Sequence, residues 1–238
     1  MFFISPPFGN YIELPKTIRI YGSFTVEPRD GLFFQVLKTL RYSFKYHGWV
    51  NQIGLRNKGI DWALTNVPYN HIVSVAIMHD SDVPLLLSKI PKNRNIELNV
   101  SCPNVIKTAS GNHLGNFLNN HRKWCIIKLS PKTTFSQIDF FYKQGFRQFH
   151  CCNTVPVPEG GLSGIAVRSY SDQQIKYLRE KYPDTELIGG GGVTKWKDVL
   201  DLQNSGANHF SVSTGFFRPF RILGLYSCYL FNNSYKKT

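Results

Sequence analysis

The chain is short of acid. Fifteen Asp and Glu stand against 28 Lys and Arg in 238 residues, a formal net charge of +13. That excess favours anionic partners, which include nucleic acid, a membrane surface, or small phosphates and carboxylates. It is not organised as a binding arm, because no block of five or six like charges occurs. Lys38, Arg41, Lys45, Arg122, Lys123, Lys176, Arg179 and Lys181 are dispersed. Cysteine is sparse and poorly spaced for a metal. Cys102, Cys125, Cys151, Cys152 and Cys228 form no CxxC pair, which argues against a structural zinc site and for free thiols in a reducing, cytoplasmic compartment. Long apolar runs are missing too. The opening MFFISPPFGN has no basic n-region, so neither a signal peptide nor membrane insertion is expected. No repeat, linker or low-complexity stretch divides the chain, so one domain over residues 1–238 is expected.

What is present is core. Hydrophobic residues make up 42% and charged residues only 18%, a balance that supports folding over disorder. The 18 Phe and 12 Tyr suggest some aromatic surface or an oligomer contact such as a homodimer. Short apolar runs recur at Phe2–Ser5, Ile18–Phe24, Ile72–Met78, Ile96–Val100, Cys125–Leu129, Phe149–Cys152, Glu186–Ile188 and Phe210–Ser213. Many are continuous, as strands buried on both faces are. A further extended piece is expected near Trp49–Ile53. Helical periodicity predicts helices over Phe33–Phe44, Ser136–Gln144, Ser171–Tyr182 (with Ser-Asp as its cap) and Lys195–Ser205, the last stopped by Gly206. Eight strands alternating with helices predict a single α/β TIM barrel. Only about twenty residues separate Asn104 from Cys125, so that crossover is trimmed.

Active sites of such barrels lie at the C-terminal strand ends, and the polar motifs fall there. ELNVSCPN places Asn99, Cys102 and Asn104 after one strand. Asparagines suit the edge of a planar heterocycle, and a thiol there can act as a base. Otherwise it is a small buried hydrophobe, the reading given to Cys125. Lys128 ends the next strand, pointing at the mouth to stabilise negative charge or simply reaching solvent. Asn153 and Thr154 precede a glycine-rich loop, Gly160–Gly164, which serves close ligand approach or only a surface turn. Gly189–Gly192 and Ser213–Gly215 close the last two strands, where barrels commonly bind phosphate.

These segments, ELNVSCPN, IIKLSP, CNT…GGLSG, IGGGGV and STGFF, together with YGSFTVEPRDG and NQIGLRNKG, resemble in order those of dihydroorotate dehydrogenases, from about Ser5 to Phe217. The resemblance implies FMN-dependent oxidation of dihydroorotate to orotate, a step of pyrimidine synthesis. It implies Cys102 as the base and Lys128 beside the flavin. Asn51, Gly54, Leu55, Asn99, Asn104, Asn153 and Thr154 would hold the pyrimidine. Ser23, Asn99 and Lys128 would contact the flavin. Ser163, Gly164, Gly191, Gly192, Ser213 and Thr214 would form its phosphate pocket.

The subclass features are mixed. A cysteine base is typical of soluble members, whereas Gly22 stands where those members carry Lys, and Arg56 where some carry Pro. The electron acceptor is therefore open. Two rivals remain at this level: a tRNA dihydrouridine synthase-like flavoenzyme, which the net charge would suit, and a degenerate, non-catalytic barrel binding an anionic ligand. The CNT…GGLSG segment and the end of the motifs at Phe217 speak against nucleic acid as the partner.

Overall fold

The structure is a computed structural model that describes residues 1–100 and 112–235. Its strands and helices, in chain order, are β1 (Phe2–Ile4), β2 (Thr17–Phe24), α1 (Leu32–Thr39), β3 (Arg41–Ser43), β4 (Gly48–Asn51), α2 (Gly59–Asn66), β5 (Ile72–Ala76), α3 (Asp82–Lys89), β6 (Ile96–Asn99), β7 (Cys125–Lys128), α4 (Phe135–Lys143), β8 (Gln148–Cys151), β9 (Val155–Val157), β10 (Gly160–Ser163), α5 (Arg168–Lys181), β11 (Glu186–Gly189), α6 (Trp196–Asn204), β12 (His209–Val212) and α7 (Pro219–Tyr235). Eight parallel strands close in the order β1-β12-β11-β8-β7-β6-β5-β2. All eight are the ones expected, and the TIM barrel stands.

The interior follows the two-residue period of strands. Phe3, Ile20, Ile72, Trp124, Ile126 and Ile188 form a closed apolar plug inside the barrel. Two residues further along, the same faces carry Ser5, Gly22, Ser74, Lys128 and Gly190. A polar layer thus sits directly above the plug, toward the C-terminal mouth. The alternate positions, such as Phe2, Ile4, Val73, Ile127 and Leu187, face outward into the larger core shared with the helices.

Helix boundaries have local causes. Thr134 and Gln137 cap α4 reciprocally, with Gln137 N donating to Thr134 Oγ1 at 3.2 Å and Thr134 N donating to Gln137 Oε1 at 2.9 Å. Asp198 Oδ2 accepts from Thr194 N and Lys195 N at the start of α6, and Gly206 follows its end as expected.

Three expectations need correction. The helix predicted over Phe33–Phe44 stops at Thr39, and Arg41–Ser43 is strand instead. Helix α5 begins at Arg168, so Ser171 is not its cap. The Ser171 hydroxyl donates to Cys151 O, pinning the helix to the end of β8. Most of the glycine-rich stretch taken for a loop is strand β10, which pairs with β4 and β9. With β3 these make a four-stranded antiparallel sheet, β3-β4-β10-β9. Its strands come from the connections that leave the C-terminal ends of β2 and β8, so it stands over the mouth of the barrel.

The crossover from β6 to β7 contains, among the described residues, only the 3-10 turn Leu114–Phe117. The connection from β1 to β2 holds another short turn, Phe8–Asn10. No helix among the described residues is long and apolar enough to cross a membrane.

Candidate active site

Ser74 and Lys128 of the polar layer belong to one connected network. Lys128 Nζ lies 3.3 Å from Glu97 Oε1, with Glu97 fully buried and Lys128 nearly so. Ser74 Oγ donates to the same Glu97 oxygen at 2.7 Å. Glu97 Oε2 lies 2.6 Å from His150 Nδ1, and His150 Nε2 is 2.8 Å from Ser211 Oγ. Burial alone would push the Glu97 carboxyl up, but Lys128, His150 and the bonds from His150 and Ser74 outweigh it and bring it down to about 2. Burial holds His150 below its ordinary value, against the pull of Glu97. Glu97 is therefore the anion and His150 is neutral. The ionised carboxylate only accepts, so the imidazole proton sits on Nδ1 and Nε2 accepts from Ser211.

The same logic orients the asparagines. Thr154 N donates to Asn153 Oδ1 at 2.9 Å, so the Asn153 amide turns its Nδ2 to Asn99 Oδ1, 3.3 Å away. Asn99 Nδ2 in turn donates to Ser23 Oγ at 2.9 Å. Ser74 has already given its proton to Glu97, so the 2.8 Å contact between Ser23 and Ser74 has Ser23 as donor. From Asn153 to Asn99, Ser23, Ser74 and Glu97 every donor points toward the buried anion. Such a chain is mutually polarising and fixes both amide faces.

The glycines lie beside it. Gly191 and Gly192 have φ of +93° and +68°, a region that favours glycine. A Cβ on Gly192 would sit 2.5 Å from Ile165 N and 2.9 Å from Gly164 C. One on Gly215 would lie 2.5 Å from Val193 O. The loops carrying Gly164, Gly191–Gly192 and Ser213–Gly215 are thus packed together, and that packing itself demands the glycines. Arg168 braces them, with Nε donating to Gly191 O at 2.9 Å. Its Nη2, Thr154 Oγ1 and Ser5 Oγ are buried polar atoms without a partner among the described residues. These three stand at the mouth, where a polar ligand would pair them; nitrogens of Arg29, Arg94 and Arg122 are likewise without a partner among the described residues.

The remaining expected residues divide. Ser23, Asn99, Lys128, Asn153 and Thr154 come together in the network. Lys128 does not run out to solvent, since its ammonium folds inward onto Glu97. Asn51 is on β4, where its Nδ2 meets Gly161 O at 3.5 Å, and Gly54 and Leu55 form the positive-φ turn that follows. Ser163 and Ser213 send their hydroxyl protons to Trp49 O and Pro6 O. Cys102 and Asn104 lie outside the described residues. Among the described thiols, burial pushes Cys125 up to about 12 and also raises Cys151 and Cys152. Sequence reasoning missed Glu97, His150, Ser74, Ser211 and Arg168. The signal for the first two was an acid and a histidine inside otherwise apolar strands; in the barrel His150 stands in register with Lys128 and Glu97 opposite Ile126.

A closed parallel barrel with a polar network at the C-terminal mouth defines the class: a TIM-barrel protein whose site lies where the enzymes of this fold place theirs. No family model matches the chain, but individual proteins do. It is 26% identical to the catalytic subunit of dihydroorotate dehydrogenase B (NAD(+)) from Bacteroides thetaiotaomicron, over 88% of this chain and 79% of that one. To the protein of the same name from Latilactobacillus sakei it is 29% identical, over 90% and 80%. An Aquifex aeolicus protein provisionally named dihydroorotate dehydrogenase A (fumarate) is 28% identical over 72% and 68%. The crystal structure of Eimeria tenella DHODH in complex with ferulenol superposes with a TM-score of 0.64 at 15% identity, covering 87% of this chain and 71% of that one, a likeness of fold. The protein is a homologue of dihydroorotate dehydrogenases over most of its length.

Proposed function

We propose that the protein is an FMN-dependent dihydroorotate dehydrogenase that oxidises the C5–C6 bond of dihydroorotate to give orotate. The observation that carries this reading is the oriented chain Asn153–Asn99–Ser23–Ser74–Glu97 with Lys128 at its end, in a chain similar to those enzymes. Two fixed amides present donors and acceptors of set direction, which suits a ring bearing carbonyl and N–H groups. Asn51, Gly54, Leu55 and Asn104 would complete that pocket, Asn51 from the sheet above the mouth and Gly54 and Leu55 from the turn after it. The residues also fit the cofactor. Buried donors at Thr154, Ser5 and Arg168 await a polar partner, and Gly164, Gly191 and Gly192 let the backbone close around a phosphate beside Ser163, Ser213 and Thr214. When bound, FMN supplies the acceptor for the hydride that leaves the substrate. Lys128 would stabilise negative charge there, its own charge held in place by Glu97. Cys102 is assigned as the base that removes the C5 proton. The raised values of Cys125, Cys151 and Cys152 leave those thiols protonated and unsuited to that task.

The test is reconstitution with FMN followed by anaerobic addition of dihydroorotate. A yellow protein that bleaches and forms orotate is the expected result. A protein that stays colourless after reconstitution overturns the flavin assignment. Bound flavin that dihydroorotate leaves oxidised overturns the substrate.

A further inference from the structure

Helix α1 is built unlike a barrel helix. It is apolar at Leu32, Phe33, Phe34, Val36 and Leu37, yet its only buried residue is Thr39. Phe33, Phe34 and Leu37 are 69%, 77% and 68% exposed, and Phe44, just beyond β3, is 82% exposed. Isolated apolar residues on a surface are ordinary, whereas a whole helix of them marks a contact site. Polar contacts tether this helix to the connection after β4. Gln35 Nε2 donates to Gln52 O at 2.9 Å, and Thr39 Oγ1 accepts from Gln52 N at 3.0 Å.

The surrounding charge has one sign. Residues 31–60 contain no Asp or Glu and five basic residues, Lys38, Arg41, Lys45, Arg56 and Lys58. Lys38, Arg41 and Lys45 are exposed. The acids that approach are Glu159, which accepts from Tyr46 Oη at 3.2 Å and influences Lys45, and Asp30 at the start of the segment. Neither balances the group.

Charge decides between occupants. A second copy of this chain meeting α1 across a two-fold axis would bring the Lys38 and Arg41 of both copies into one interface, like charge against like. The apolar side chains also sweep a wide arc, since at 100° per residue Leu32, Val36, Phe33, Leu37 and Phe34 span more than half of the helix circumference. A surface of that breadth fits a fluid layer better than a shaped groove.

We propose that α1 and the turn after β3 form a peripheral docking surface for an anionic lipid bilayer. Phe33, Phe34, Leu37 and Phe44 enter the headgroup–acyl boundary while Lys38, Arg41 and Lys45 meet lipid phosphates. The helix lies in the connection between β2 and the sheet over the mouth. Docking therefore brings the C-terminal end of the barrel to the membrane.

The test is sedimentation of the full chain with sucrose-loaded vesicles of phosphatidylcholine, alone or mixed equally with phosphatidylglycerol. Three cations at the surface should favour the anionic vesicles by about a hundredfold, with binding weakening as salt rises. Phe33→Ser with Phe34→Ser, which leaves the charge unchanged, should lower binding at least about tenfold without changing the melting temperature. Lys38→Glu with Arg41→Glu should do the same by the other route. Failure to pellet with anionic vesicles at low salt overturns the proposal. So does a Phe33→Ser/Phe34→Ser variant that pellets as the parent does, since general basicity would then be the cause. A dimer in sedimentation velocity that the same double variant dissociates would instead give the face to a second copy.

Discussion

Replacing Glu97 by Gln removes the charge at the centre of the polar layer and keeps its shape. The expected cost follows from the titration of the carboxyl. Its folded value is depressed, so its contribution is fully present above the unfolded value and is lost as pH falls through the folded one. A group that titrates near 4.5 in the unfolded chain and at about 2 here contributes about 3 kcal/mol at neutral pH. Breaking a buried ion pair by removing one partner costs about 3–5 kcal/mol, which is the same size. For a domain of this length that is a fall in Tm of about 6–12 °C. The assay is paired denaturant or thermal unfolding of parent and Glu97→Gln from neutral pH into acid. Other carboxylates titrate in both proteins, so the difference between the two isolates Glu97. The gap should be full at neutral pH, shrink below pH 4.5 and close near about 2, because protonated Glu and Gln are then equivalent. A gap under about 1 kcal/mol at neutral pH, the size expected of an exposed pair, would refute the reasoning. So would a gap that does not narrow in acid.

Two further predictions concern the neighbours of Glu97 and the loops. His150 should remain neutral at neutral pH with its proton on Nδ1, readable from the 15N shifts of the imidazole, and an imidazolium signature there would contradict the assignment. Gly192→Ala must place a Cβ 2.5 Å from Ile165 N at a φ of +68°. It should cost about 1–3 kcal/mol in thermal unfolding and reduce flavin uptake on reconstitution. A variant that melts and binds like the parent would show that the two loops are not held as described.

The barrel was legible because a parallel strand buried on both faces leaves a continuous apolar run, and each of the eight runs became one barrel strand. Strand order follows from closure. Of the sheet over the mouth only the extended piece near Trp49–Ile53 was legible, and it overlaps β4 (Gly48–Asn51). The strands of this sheet are three or four residues long, two of them contain Pro or paired glycines, and the pairing that joins its two hairpins spans about 110 residues, from Asn51 to Gly161. Segments that short carry no period of their own. Helix α1 was legible as a helix, but the exposure of its apolar face was not, since a periodic pattern does not say what covers it.

The division in the site has the same origin. Asn99, Lys128, Asn153 and the glycines at 191 and 192 stand at strand ends, and a strand end is visible in one dimension. The sequence by itself therefore determined the barrel and pointed to Ser23, Asn99, Lys128, Asn153 and Thr154 at its mouth. Only the tertiary structure decided what those side chains do to one another. Ser74, Glu97, Lys128, His150 and Ser211 come from five different strands, and barrel closure sets them in one layer above the apolar plug. There water is excluded, and a carboxylate must be paired and hydrogen-bonded to exist. That requirement turned Lys128 inward, put the imidazole proton on Nδ1 and oriented the two asparagines, none of which any single segment encodes.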